Sequence, residues 1–225
     1  MEENMIRVTG SGTIHVVPDV TRIELSLVSL HDSYEDAYKQ AKNDTDKLKK
    51  MMEELKLDVT LPKTKSLDIN KKTRSDYDRN DHYTGEIFLG FELSHHIKID
   101  LGMDNVLLNN LIRLIGKKLK QAEINIGYTV KDPRPTQLKM LERAVKDAKE
   151  KANIMAKASG CKLGAVNHID YSVNELHIYS QARNIHGADE AAYCEESSLD
   201  ITPDDLAVSD TVTVVWYLLD DNKKE

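Results

Sequence analysis

Hydrophobic and polar residues alternate with period two over much of the chain. Ile6 and Val8, then Ile14 and Val16, stand between polar neighbours, with Gly10 and Gly12 breaking the run. After Pro18-Asp19, Ile23, Leu25 and Leu27 alternate with Glu24 and Ser26. Alternation of this kind predicts strands with one buried face. The longest case sets Ile87, Leu89, Phe91, Leu93, Ile97 and Ile99 in one phase and Phe88, Gly90, Glu92, Ser94, His96 and Lys98 in the other. Leu67 and Ile69 predict a strand ahead of it. The two segments, 63–72 and 86–99, read as a long hairpin around a polar stretch from Arg74 to Gly85. Further strands are expected at Ile124, Ile126 and Val130, at Ile169, Tyr171 and Val173, and at Val212, Val214, Trp216 and Leu218.

Three segments change to a spacing of three and four. In the first, Tyr34, Ala37, Tyr38, Ala41, Leu48, Met52 and Leu55 form one stripe, with Asp32 as the expected N-cap and Glu35 at the capping-box position. Asp104 is placed to cap a second helix carrying Leu107, Leu108, Leu111, Leu114 and Ile115. The third begins near Pro133 and Pro135, where a helix tolerates proline. It carries Leu138, Leu141, Val145, Ala148, Ala152, Met155 and Ser159 on one stripe, with Gly160 as the expected C-terminal stop. Its alanines predict close approach to a sheet or another helix.

Residues 19–130 thus read β-α-β-β-α-β, the ferredoxin-like pattern in which helices cover one face of an antiparallel sheet. The expected fold class is α+β, with the third helix and the C-terminal strands extending that section. The 225 residues are expected to form a single domain, with an irregular acidic excursion at about 174–205.

Composition narrows the function. The charge of −7 disfavours phosphate backbones and anionic membranes, so no nucleic-acid partner is expected. No apolar run approaches the ~18 residues of a membrane span. Met1 to Arg7 lacks the basic region and apolar core of a signal peptide, so a cytoplasmic location is expected. Cys161 and Cys194 are too few for a disulfide framework and too far apart for a CxxC motif; they read as free thiols.

Four segments, in order, resemble the SIMPL-domain (YggE-like) family. Ile6-Arg-Val-Thr-Gly-Ser-Gly-Thr-Ile-His-Val-Val-Pro-Asp19 is similar to its N-terminal V-x-G-x-G strand followed by Pro-Asp. Gly90-Phe91 stands where the family shows Gly-Tyr, and Leu138–Ser159 with Gly160-Cys-Lys-Leu-Gly164 resembles its A-x-A-L-G-x-x-L-G element. Ile201-Thr-Pro-Asp-Asp-Leu-Ala-Val-Ser209 resembles the I-x-P-G-x-I-x-V ending, with Asp204 where glycine is usual. The resemblance implies no agreed catalytic residues. It implies exported bacterial relatives, links to oxidative stress, ring-like or channel-like self-assembly in some members, and a kinase-binding animal relative.

Candidate chemistry is sparse. Asp76, Asp78, Asn80 and Asp81 suggest a calcium loop, but Asp81 and Ile87 occupy the places of the turn glycine and the bidentate glutamate. His95 and His96 are neighbours on a strand and point to opposite faces, with His95 in the apolar phase. No spacing among His168, His177, His186, Cys161 and Cys194 fits a zinc template. Gly10–Gly12 reads as a bulge or sharp turn, not a phosphate loop. No catalytic, cofactor-binding or metal residue is assigned, and no cofactor is expected. The expected function is non-enzymatic: self-assembly into a homo-oligomer or capture of a protein partner, with the N-terminal and final strands as candidate pairing edges. The alternative is a small-molecule binder or enzyme whose site gathers scattered histidines around His95 or His168. Redox response through Cys161 is a third option.

Overall fold

The computed structural model describes residues 4–171, 178, 180–185 and 203–220. These residues fall into two compact units interleaved along the chain, with boundaries at Pro18/Asp19 and Thr129/Val130.

The unit beginning at Asp19 contains β2 (Val20–His31), α1 (Tyr34–Glu54), β3 (Lys63–Tyr77), β4 (Tyr83–Leu101), α2 (Asn105–Lys118) and β5 (Ala122–Thr129). The antiparallel order β3-β4-β2-β5 is the ferredoxin-like one. Register follows the alternation: Leu25 lies opposite both Ile97 and Ile124, and Ile23 opposite both Ile99 and Ile126. That row meets Leu48, Met51 and Met52 of α1 and Leu108, Leu111, Ile112 and Ile115 of α2 in one buried cluster. Each such side chain contributes roughly 1.5–3 kcal/mol on burial. The other face of the sheet is ionic. Arg22 grips Asp100 with two nitrogens at 2.7 and 2.9 Å, and Lys65 reaches Glu24 at 2.9 Å.

Asp104 caps α2 as expected, accepting from the Leu107 amide at 2.9 Å. The cap of α1 lies one residue later than expected. Ser33, not Asp32, accepts from the Asp36 amide at 3.1 Å, and its hydroxyl donates back to the Asp36 carboxylate. The hairpin is also longer than expected. Much of the polar stretch Arg74–Gly85 continues it, because Tyr77 and Tyr83 pair edge-to-face and Asp78 organises the turn between them.

The third helix and the last strand do not join this sheet. β1 (Met5–Val16), β8 (Leu206–Asp220) and β6 (Cys161–Asp170) form their own three-stranded antiparallel sheet, ordered β1-β8-β6 and packed against α3 (Arg134–Ala158). β8 is therefore the central strand, which corrects its reading as an edge. Its alternating Val212, Val214 and Trp216 are all buried, and so is Val215.

Gly10 and Gly12 neither bulge nor turn. β1 pairs with β8 without a register shift from Met5 to Val16. The glycines are there because α3 lies almost on the strand. A Cβ on Gly10 would sit 2.1 Å from the Ala144 carbonyl oxygen, and one on Gly12 would sit 2.0 Å from that of Met140. The contacting stripe of α3 is Met140, Ala144, Ala148, Ala152 and Ala156, whereas Leu138 and Met155 are exposed.

Part of the expected irregular excursion is ordered. β7 (Ser180–Ile185) adds to the ferredoxin-like sheet beside β5. Its sequence shows no alternation; the backbone groups of β5 recruit it. The rest of 174–202, Ile178 excepted, lies outside the described residues.

Candidate functional site

α1 lies over β2 and β4 and leaves the inner face of β3, the sheet's edge strand, incompletely covered: Leu67 is 42% exposed. A register shift between Thr64 and Ser66 turns Thr64 and Leu67, three residues apart, to the same side. The result is a groove of about 340 Å³. Its strand side is Thr64, Leu67 and His95, and its helix side includes Tyr38, Lys42, Thr45, Asp46 and Lys49. Residues 38, 42, 45 and 49 step by four, three and four, so one face of α1 presents them all.

His95 is 2% exposed. Its Nε2 lies 3.1 Å from Thr64 Oγ1, while Nδ1 has no hydrogen-bond partner among the described residues. Burial lowers its pKa; the nearby Asp44 carboxylate opposes that shift and His96 reinforces it. A buried acceptor without a partner is tolerated better than a buried N–H, so the proton is assigned to Nε2. Nε2–H then donates to Thr64 and leaves the threonine's own proton available to the groove.

Thr64 and His95 are within reach of each other, but they lack the third member of a nucleophilic triad. The buried Asp44 carboxylate is occupied instead by Gln40, at 2.9 and 3.0 Å, and by Lys47 at 3.4 Å. Lys42, Lys49 and Asp46 form no ion pair among the described residues. The arrangement is equipped to bind, with cations, hydroxyls and a neutral imidazole around an apolar strip.

A second feature is the far end of the β3–β4 hairpin. β2 pairs with β4 only from Phe91 onward. Among the described residues, 72–77 and 83–90 pair with each other and with no other strand, forming an arm past the sheet. Gly90, with φ at +136°, lets the arm leave the sheet; a Cβ there would lie 2.5 Å from the His31 carbonyl oxygen. Tyr77, Tyr83, Ile87, Phe88 and Leu89 are exposed on the arm. Phe88 packs edge-to-face on Phe91, which meets Tyr34 likewise, and the Lys71 ammonium lies 5.6 Å from the centre of the Phe88 ring.

The other sequence candidates have local roles. Asp78 accepts from the His82 and Asn80 amides at 3.0 and 2.8 Å, and these bonds lower its pKa. It is a turn cap. His168 pairs with Asp170 at 2.6 Å on an exposed stretch of β6. Cys161 is half-buried, with its Sγ 3.8 Å from the Ser159 carbonyl oxygen. His177, His186 and Cys194 lie outside the described residues. Among the described residues no group of three His, Cys, Asp or Glu is placed to hold a metal ion, and no helix is long and apolar enough to cross a membrane. Sequence reasoning missed Thr64 on β3, which gives no signal of its own, and the α1 residues Lys42, Thr45, Asp46 and Lys49. The one signal on α1 is a polar stripe at helical spacing, which reads equally as a solvated face.

No curated protein matches this chain. The family model described as SIMPL, protein of unknown function (DUF541), matches residues 6–216, a span that includes parts of both units. That match covers nearly the whole sequence, and the chain belongs to the SIMPL family.

Proposed function

We propose that this SIMPL protein is non-enzymatic and works by self-association or protein capture through the β3–β4 arm. The observation that carries this reading is the arm itself, a two-stranded ribbon whose apolar and aromatic side chains meet solvent on both strands. An isolated two-stranded hairpin is marginal in water, and such a ribbon gains most by adding a third strand or a covering surface. Its charge suits a protein surface better than a phosphate backbone. Residues 71–89 carry Lys71, Lys72, Arg74 and Arg79 against Asp76, Asp78, Asp81 and Glu86, four of each sign. A neutral ribbon with both signs interspersed can pair with a second copy of itself. The link to oxidative stress that the resemblance implies for some members gives the cellular setting in which to look for a partner.

The edges named from sequence fare differently in this reading. β8 is internal. β1 is an edge, but α3 occupies part of it: Asp147 accepts from the Ser11 amide at 2.7 Å, and Arg143 donates to the Thr13 carbonyl at 2.7 Å. Light scattering over a concentration series is the test. The expected result is a discrete multimer that a Tyr77→Ser/Tyr83→Ser/Phe88→Ser variant converts to a folded monomer with an unchanged circular dichroism spectrum. A strict monomer that retains no protein partner on an affinity column, with or without these substitutions, overturns the reading.

A further inference from the structure

We propose that the groove between α1 and β3 binds a small amphipathic monocarboxylate, its carboxylate held by Lys42 and Lys49 and its apolar body laid between Tyr38 and Leu67. The argument starts from the volume. About 340 Å³ is at the low end of ligand cavities, roughly 300–1,000 Å³, and selects a small molecule over a peptide helix.

Charge selects an anion. Lys42 and Lys49 lie on one helix face with no ion pair among the described residues. His95 adds no charge, because burial holds it neutral. Asp46 also lines the groove, so the balance is two ammoniums against one carboxylate, a net +1. One carboxylate neutralises that balance; a second charge on the ligand would meet Asp46. A cation would have to sit against both lysines.

Hydrogen bonding agrees. Thr45 spends its proton on the Ala41 carbonyl at 2.9 Å, whereas Thr64 accepts from His95 and keeps a proton to donate. That donor faces the same space as the lysines. The unpartnered Nδ1 behind it is the kind of buried polar atom that calls for an explanation, and a site that fixes a donor for a ligand supplies one. At the other end the 56% exposed Tyr38 ring and the 42% exposed Leu67 side chain gain by being covered. Eleven residues of helix separate Tyr38 from Lys49, about 16 Å, long enough for a medium-length chain or a single ring with its acid.

The probe is octanoate, titrated into the ¹⁵N-labelled full-length protein, with octan-1-ol as the neutral control. The amides of Thr45, Thr64 and Leu67 should shift saturably with octanoate. Octan-1-ol should bind at least about tenfold more weakly, and Lys42→Gln/Lys49→Gln should cost octanoate a similar factor. Thr45→Trp, which fills the groove from a half-buried helix position lining it, should abolish the shifts while circular dichroism stays unchanged. Three results would each overturn the proposal: equal binding of octanoate and octan-1-ol, no effect of the lysine substitutions, or shifts confined to Tyr77–Phe88 of the arm. Because the readout is residue-specific, the outcome is independent of whether the arm drives association.

Discussion

In the ferredoxin-like unit, α2 meets its sheet through Leu108, Leu111, Ile112 and Ile115; in the other unit, α3 meets β1 through Ala144 and Ala148 against Gly10 and Gly12. Both interfaces are buried, but they place their atoms differently. Large side chains hold the first helix away from its strands and fill the gap with methyl and methylene groups. The second has almost no side chain in the gap, so helix backbone rests on strand backbone. Dispersion and hydrophobic burial stabilise the first. Shape stabilises the second, and it depends on what is missing at two positions. The first interface should therefore be sensitive to deleting atoms and the second to adding them.

The largest effect should come from deletion in the ferredoxin-like core. Leu111 is fully buried in the cluster shared by α1, α2 and the sheet. Leu111→Ala should lower stability by about 2–5 kcal/mol, depending on how far the cavity collapses. Urea unfolding with an unchanged slope would confirm it. A loss under about 1 kcal/mol would mean that this core is looser than its burial indicates.

The next effect should come from addition in the other unit. Gly10→Ala inserts one methyl group where the nearest atoms are the Ala144 carbonyl oxygen at 2.1 Å and the Ala148 nitrogen at 2.4 Å. Both are helix backbone, so α3 must move as a body. The cost should be about 1–3 kcal/mol, as for other overpacked sites. The same change on an exposed strand stabilises slightly, because alanine has less freedom to lose than glycine. The sign of the change is thus the measurement: a neutral or stabilising Gly10→Ala would show that the close approach is not required.

These two interfaces also explain what could be read in the sequence. The β-α-β-β-α-β order was legible because large residues such as Leu25, Ile97 and Leu111 mark their buried faces by period. The Gly/Ala interface has no such mark. Leu138 and Met155 outweigh Ala144 and Ala156 in the hydrophobic pattern of α3, yet the structure exposes the first pair and buries the second. Gly10 and Gly12 read as a turn because glycine's usual message is conformational, and here it is spatial. The sequence does not show that β8 is central, because strand order within a sheet is a long-range property, with Met5 opposite Tyr217. His95 was legible as buried from its phase alone. The groove beside it was not, because it depends on the register shift at Thr64–Ser66 and on how far α1 reaches over β3.

The smallest effect on stability should have the largest on association. β1 is an edge strand, and the amide of Ser11 and the carbonyl of Thr13 point away from β8. Unpaired groups of this kind are templates for another chain, and proteins blunt them with charge or cover. Here α3 supplies both. The Asp147 carboxylate takes the Ser11 amide, and the Arg143 guanidinium takes the Thr13 carbonyl. Asp147 is further held by Lys151 at 2.6 Å, and that bond, ahead of the one from Ser11, keeps its pKa low. Replacing both residues by alanine removes no buried apolar group, so thermal unfolding should shift little. The edge, however, would then offer an amide and a carbonyl two residues apart, the spacing at which a strand bonds a new neighbour. Concentration-dependent light scattering should rise in Arg143→Ala/Asp147→Ala and remain in the background of the arm variant, since the two surfaces lie on different strands. If scattering stayed at the wild-type level in both backgrounds, the two side chains would be fixing α3 on β1 instead of guarding the edge.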